Sequence, residues 1–475
     1  MVVLDGGGCR EADPRGLVDV SWPHRDELNR TAKQLVDSGR AGSPTEAVAV
    51  LEQFVLQVAV GPSIEKSQAG QAALLTIVTA ASRAFLGGVV VCLRDDPVLT
   101  QGWGSGQRLS DMVVSCGGRL VRNLRETYPT IGLGPLGAKP AGEIVVEAAW
   151  SGWSGGVVEW GGGAPREDGS VLAGVAAGAF GVSECFQHRL GSVTAGRRQV
   201  GLSLWRPDQD WRLPDGFGPK VSWLPAALWL LGLGHLGQGF AWALGMLPYS
   251  TPSDVVVYLM DTDVIVEANL STGLLADSSS LDRRKTRVLS RALEGLGLRT
   301  AIVERRFDDN LFPAEVEPSL ALAGFDSPVP RRMLGGDRFQ RVVDAGLGAG
   351  PSDYLDILVH TFPSGLDPAT AFPESPRGPR ALPRAYQDEI DRAVGQGAEE
   401  GDVTCGMIEV HGVSVGAAFV GALAGAMGVA DLLRLLQEGP EFAVVSLDLR
   451  SPAYATAVLN TCPGSHINPG FTKAR

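Results

Sequence analysis

Residues 224 to 285 hold side chains whose types and spacing fit nucleotide chemistry. An apolar strand, Leu224 to Leu231, runs into the turn Gly232-Leu-Gly234-His-Leu-Gly237-Gln-Gly239. A small-residue helix and a second strand, Val255 to Met260, follow; then come Asp261-Thr-Asp263, Asn269-Leu270 and Lys285. Glycines between a strand and a helix let the backbone turn tightly and approach a phosphate without Cβ clashes. The first N–H groups of the helix then face the anion along the helix dipole. Asp261 lies 22 residues past Gly239, the spacing expected of an acid that binds a ribose hydroxyl. Taken alone, the pattern allows a nucleotide, a dinucleotide or a plain structural turn.

The residues beyond the turn separate these options. An NAD site needs one acid after the second strand. Here two acids, an Asn-Leu pair and a lysine occur in order, and Gly324-Phe-Asp326-Ser327 with Arg331 follows later. This order resembles the adenylyltransferases that activate ubiquitin-like proteins, the ThiF, MoeB, HesA and ubiquitin-activating enzyme family. The resemblance spans about Leu224 to Leu435. It implies that Gly232, Gly234, Gly237 and Gly239 shape a phosphate turn for ATP and that Asp261 holds the ribose. Asp263 and Asn269 would line the triphosphate side, Lys285 would neutralise phosphate charge, and Asp326 would hold Mg²⁺. Such a set suits attack of a carboxylate on the α-phosphorus, where negative charge builds up. Two departures stand out. The family carries Asn-Leu-x-Arg-Gln where this chain has Asn269-Leu-Ser-Thr272-Gly273, and Ser327 stands where Asn is usual. Arg283 and Arg284 are the nearby replacements for the missing arginine.

The elements that must position these residues read as α/β. The expected fold is a Rossmann-like, doubly wound sheet of the ubiquitin-activating type over residues 223–475, behind an N-terminal α/β domain at 61–222 and an accessory segment at 1–60. Alternation of strand patterns (Gly87 to Leu93, Ile144 to Ala149, Gly155 to Glu159) with helical ones (Gln71 to Phe85, Val171 to Leu190) supports the N-terminal assignment. That domain lacks a phosphate-type turn. Larger relatives pair an active with an inactive adenylation copy, so it is read as such a copy in an internal pseudo-dimer, with an unrelated α/β domain or a homodimer as alternatives. Ser43-Pro44 starts a helix by cap and N1 proline, and no chemistry is read into the first 60 residues.

Composition sets further bounds. At 475 residues and a net charge of −12, the chain is large enough for two domains and disfavours nucleic-acid binding. Met1 to Leu4 gives no signal peptide, which suggests a cytoplasmic protein. Neither apolar run reads as a membrane span: Trp223 to Leu247 is broken by His235, Gln238 and the turn glycines, and Val413 to Ala430 is rich in Gly and Ala, as a buried, close-packing helix is. The six cysteines form no Cys-x-x-Cys pair, so the zinc site of ThiF and MoeB cannot be built.

Residues 361–404 are Pro- and Gly-rich, with a short helix expected from Pro383 to Val394, and sit where the family has a crossover loop. Cys405 follows, before an apolar helix. A thiol near a helix N-terminus has a lowered pKa, and the resemblance makes Cys405 the acceptor of a thioester; a packed structural thiol is the alternative. The expected activity is ATP- and Mg²⁺-dependent adenylation of the C-terminal carboxylate of a ubiquitin-like protein, with a conjugating enzyme downstream, as in bacterial ubiquitin-like conjugation operons. A catalytically decayed nucleotide-binding scaffold and an NAD(P)-dependent oxidoreductase are the competing readings.

Overall fold

The computed structural model describes residues 22–62, 64–163, 166–308, 310–336, 338–373, 382–462 and 470–475. Met1 to Leu4, Cys9 and residues 374–381 of the expected crossover loop lie outside the described residues.

Two helices open the described chain, α1 (Arg30–Asp37) and α2 (Pro44–Leu51). Ser43 Oγ accepts the Glu46 N–H and Pro44 fills the first turn, the cap that the sequence predicts. The N-terminal sheet uses β1 (Val55–Val60), β2 (Gly88–Leu93), β3 (Gly118–Leu120), β4 (Thr130–Leu133), β5 (Val145–Gly152), β6 (Ser154–Glu159), β7 (Arg166–Gly169) and β8 (Val200–Ser203). Helices α3 (Gln68–Ala81), α4 (Leu109–Ser115) and α5 (Val171–Arg189) connect them. The strand order is β3-β2-β1-β4-β5-β6-β8, with β7 beside β5.

The C-terminal domain starts with β9 (Trp223–Pro225), β10 (Ala227–Leu231), α6 (His235–Met246), β11 (Val256–Met260), α7 (Glu267–Leu270), α8 (Lys285–Glu294) and β12 (Arg299–Val303). It continues with β13 (Leu320–Ala323), α9 (Pro328–Arg332), β14 (Arg341–Leu347), β15 (Asp356–Phe362), α10 (Pro368–Ala371), α11 (Arg384–Gly395), α12 (Glu400–Gly412) and α13 (Ala418–Leu436). β16 (Phe442–Asp448), β17 (Thr456–Leu459) and β18 (Phe471–Lys473) complete it. The sheet order is β12-β11-β10-β13-β14-β15-β16-β17. The first five of these strands are parallel, and β15, β16 and β17 join antiparallel. This is a Rossmann-like α/β sheet with an antiparallel extension.

The two sheets share one plan. Counting from β1 and from β10, the first six strands of both run 3-2-1-4-5-6, and both sheets switch from parallel to antiparallel between the fifth and sixth strands. The helix after the first strand packs against the long late helix in each half: α3 on α5, and α6 on α13. Backbone contact makes both pairings close. A Cβ on Gly174 would lie 2.0 Å from Ala69 O, and one on Gly239 would lie 2.2 Å from Gly421 O.

The halves join through these same helices. α13 packs on α5, where Phe419 meets Phe186 with ring centroids 5.6 Å apart. Trp242 donates its indole N–H to Thr76 Oγ1 at 3.0 Å, and Trp103 stacks on Trp242 at 5.5 Å. Each fully buried large side chain of this kind contributes roughly 1.5–3 kcal/mol. One helix among the described residues, α13, is long and apolar enough to cross a membrane, and it is buried between its neighbours.

β10 shows why the nucleotide-type residues sit at one edge. Leu228 and Leu230 enter the large core, while Trp229 and Leu231 enter a second core on the opposite sheet face. Such a strand is covered on both faces, so its loops can open only at its ends.

Candidate active site

The C-terminal ends of β10, β11 and β13 open into one cleft of about 960 Å³. Gly232, Gly234, Asp261, Asp263, Asn269, Lys285 and Asp326 all line it. Sequence separation among them reaches nearly a hundred residues; the parallel order β11-β10-β13 brings their strand ends side by side.

The turn after β10 is held by backbone geometry. Gly232 has φ +79°, and a Cβ there would stand 3.1 Å from Gly324 O. Gly234 precedes α6, and no side chain caps that helix. Its first N–H groups therefore remain available to an anion. Gly237 and Gly239 lie inside α6, a correction to their expected place in the phosphate turn. A Cβ on Gly237 would meet Gly232 O at 2.2 Å, so Gly237 packs under the turn, and Gly239 admits α13.

Asp261 Oδ2 accepts the Leu233 N–H at 2.7 Å, and Oδ1 accepts the Asp263 N–H at 2.8 Å. This carboxylate ties the end of β11 to the glycine turn. Lys285, largely buried, donates to Asp263 Oδ2 at 2.9 Å. Asn269 Oδ1 accepts the Val266 N–H at 3.0 Å and steadies its own turn. Asp326 is exposed on the opposite wall. Among the described residues no three His, Cys, Asp or Glu side chains cluster as a metal site. A single carboxylate still suits Mg²⁺, which keeps waters and phosphate oxygens as its other ligands.

Sequence reasoning missed the roof. Arg25, Asp26 and Arg30, in the segment read as lacking chemistry, line the same cleft. Arg30 N–H donates to Ser271 Oγ at 2.9 Å, Thr31 Oγ1 donates to Gly416 O at 2.9 Å, and Ala268 N–H donates to Asp26 O at 2.7 Å. The Arg30 guanidinium donates from Nη1 to Ser414 O at 3.1 Å and Oγ at 3.2 Å, while its Nε is buried without a partner. Burial, then the nearby Arg25, lowers its pKa, and Asp326 offsets part of that. Arg284 also lines the cleft, with its guanidinium on Thr262 O, whereas Arg283 does not. Nothing local in the sequence links Arg30 to Thr272; their proximity is purely tertiary.

Arg331 also lines the cleft; it donates from Nε to both carboxylate oxygens of Asp344, at 3.0 and 3.1 Å, and stacks 4.1 Å over Phe372. Asp344 is fully buried, which pushes its pKa up to about 6 against the pull of Arg331. His360 lies across from it on β15 and is pushed down to about 4 by burial, then by Arg331. At neutral pH that imidazole is uncharged, so its 3.9 Å approach to Asp344 is no ion pair. His235, in the first turn of α6, contacts Ala417 O through Nε2 at 3.1 Å, and burial holds it at about 4.

Cys405 sits in the middle of α12, half-buried, and is outside the cleft lining. Its expected place near the start of the apolar helix is corrected: α11 matches the short helix expected at Pro383 to Val394, but a further helix, α12, carries Cys405, and α13 begins only at Ala418. Polar and glycine residues had masked α12.

The equivalent crest of the N-terminal half is closed. A Cβ on Gly61, just after β1, would lie 2.5 Å from Pro135 O. Ser67 Oγ accepts the Gly70 N–H at 3.0 Å, so this side chain takes a helix-start donor that α6 leaves free.

The fold defines a two-halved α/β protein whose C-terminal half carries an open cleft. Residues 55–204 match the BilD N-terminal domain and residues 224–439 match the BilD C-terminal domain. The Bacterial E1-like protein BilD of Collimonas sp. (strain OK412) is 34% identical over 455 residues, covering 94% of this chain and 96% of that protein. This chain belongs to the BilD family. Solved structures of E. coli MccB are similar at 12% identity and TM-score 0.32, covering 50% of this chain and 64% of MccB. MccB with ATP matches likewise at 12% identity and TM-score 0.32, covering 50% and 65%. The chain thus spans just under two thirds of these MccB chains.

Proposed function

We propose that this protein is an E1-like enzyme that uses ATP to adenylate the C-terminal carboxylate of a ubiquitin-like protein. One observation carries the reading: the glycine turn, Lys285, Asp326 and the under-satisfied Arg30 converge on a single cleft. The BilD relationship supports the class of activity.

In this mechanism the uncapped start of α6 and Gly232–Gly234 cradle the phosphates. Asp261 keeps the turn in shape through its two backbone bonds. A carboxylate oxygen of the protein substrate attacks the α-phosphorus; the new O–P bond forms as the bond to the bridging oxygen breaks and pyrophosphate leaves. Lys285 and Arg30 stand where the charge of that transition state develops, which makes Arg30 the replacement for the arginine absent at Thr272. Asp326 would hold Mg²⁺, which supplies charge neutralisation on the phosphates.

Cys405 is the proposed acceptor in a second step. Its thiolate attacks the acyl carbon, a thioester forms, AMP leaves, and a conjugating enzyme then receives the acyl group. Since Cys405 lies outside the cleft, this step requires α12 to move toward the adenylate. The closed N-terminal crest fits an inactive partner half in an internal pseudo-dimer.

ATP–pyrophosphate exchange with Mg²⁺ and a candidate ubiquitin-like protein tests the reading. Exchange that disappears in Asp326→Ala and survives in Cys405→Ala is expected. ATP binding without exchange for any candidate would instead favour a decayed scaffold.

A further inference from the structure

The stretch from Asp282 to Arg306 holds eight cationic side chains against three acidic ones, in a chain whose net charge is −12. Arg284, Arg287 and Arg291 are exposed at helical spacing on and just before α8, opposite the buried Leu289 and Leu293. The stripe runs for about 10 Å at 1.5 Å per residue. Beside it β12 is the terminal strand of its sheet, with Arg299 exposed and Ile302 43% exposed. Arg287 bonds Glu304 at 3.0 Å and Arg305 bonds Asp308 at 2.8 Å. Arg283, Arg291, Arg299 and Arg306 make no ion pair with the described residues.

Two simpler roles each explain part of this. Nucleotide attraction accounts for Arg284, Arg305 and Arg306, which line the cleft, and not for Arg291 and Arg299, which do not. Charge on an edge strand guards against aggregation; that accounts for Arg299, and not for a stripe on the neighbouring helix. An open strand edge, an exposed isoleucine and an arginine stripe of which only Arg287 is ion-paired among the described residues together fit an extended acidic chain. Strand addition would satisfy the free backbone groups of β12, and the arginines would select charge.

We propose that the α8–β12 edge is a docking face for an acidic segment of a partner protein, taken up as an added strand along β12. The acidic remainder of this chain repels a long polyanion such as nucleic acid, whereas a short segment meets only the local field. The proposal stands independently of the adenylation reading.

The test uses the full chain and a short fluorescein-labelled peptide of alternating Glu and Val, followed by fluorescence anisotropy at two salt concentrations. Salt-sensitive binding is expected, weakened at least about tenfold by the double variant Arg291→Glu, Arg299→Glu and by N-methylation of alternate peptide bonds. Circular dichroism and ATP binding check the fold, and Arg291→Gln, Arg299→Gln gives a milder variant should charge reversal unfold the chain. The proposal is overturned by absence of binding, by equal binding to the charge-altered variants or to the N-methylated peptide, or by tighter binding of single-stranded DNA of equal charge.

Discussion

Arg30 N–H bonds Ser271 Oγ at 2.9 Å, and this contact sets an arginine from α1 in the cleft that Gly232 and Gly234 of the C-terminal domain also line. The guanidinium is held by Ser414 on one side and leaves Nε unpaired on the other. Its neighbour across the cleft is Asp326, which partly restores the charge that burial disfavours.

Arg30→Ala is expected to lower ATP–pyrophosphate exchange by roughly 10- to 100-fold, the loss of one charge-assisted bond worth about 1.5–3 kcal/mol. Arg30→Lys restores part of it, because charge returns without the planar fork. An unchanged rate in Arg30→Ala would remove the replacement role for the missing arginine.

Asp326→Asn is expected to cut exchange by at least about 100-fold while leaving thermal stability within about 0.5 kcal/mol of wild type, since the side chain is exposed. Lys285→Met should weaken both, because Lys285 is buried and paired with Asp263 at 2.9 Å. Exchange assays and thermal denaturation on the same samples separate the two behaviours.

Gly239→Ala should destabilise by about 1–3 kcal/mol, since its Cβ would sit 2.2 Å from Gly421 O on α13. Gly406→Ala in α12 has open space around the added methyl and should raise stability by about 0.5–1 kcal/mol. Opposite shifts in denaturant midpoint are the expected result.

Acidification should expose a contest between buried groups. His235 and His360, both held near 4, favour the folded state above about pH 6.5, and that stability is lost as pH falls toward 4. Asp344, raised to about 6, acts in the other sense: its contribution is present below its unfolded value and disappears as pH rises through 6. Two imidazoles against one carboxyl give a net fall in stability between pH 6.5 and 4. Asp344→Asn should steepen that fall, and His360→Gln should flatten it, when urea midpoints are compared across the range.

Much of the site was legible in the sequence because its signals are local. The apolar run of β10, the glycines after it, Asp261-Thr-Asp263 and Lys285 each follow from short-range patterning, and strand ends in a parallel sheet bring them together. The helix cap at Ser43-Pro44 and the buried α13 were legible for the same reason. Glycine alone misled: in Gly237 and Gly239 it serves helix packing, which periodicity does not distinguish from a phosphate turn. The short helix expected at Pro383 to Val394 is α11, whereas α12 was hidden because its glycines and charges weaken the helical signal.

What the sequence determined by itself is the chemistry available at the cleft, since residue type and local spacing decide which donors and acceptors a turn can present. Tertiary structure alone decided which distant groups share that cleft. Arg30 reaches it across more than two hundred residues, Cys405 is held away from it on α12, and the N-terminal half repeats the strand order while closing its own crest with Pro135 and Ser67. No local pattern encodes these outcomes, because they arise from contacts between segments far apart in the chain, such as α1 with Ser271 and Gly416 and α5 with α13.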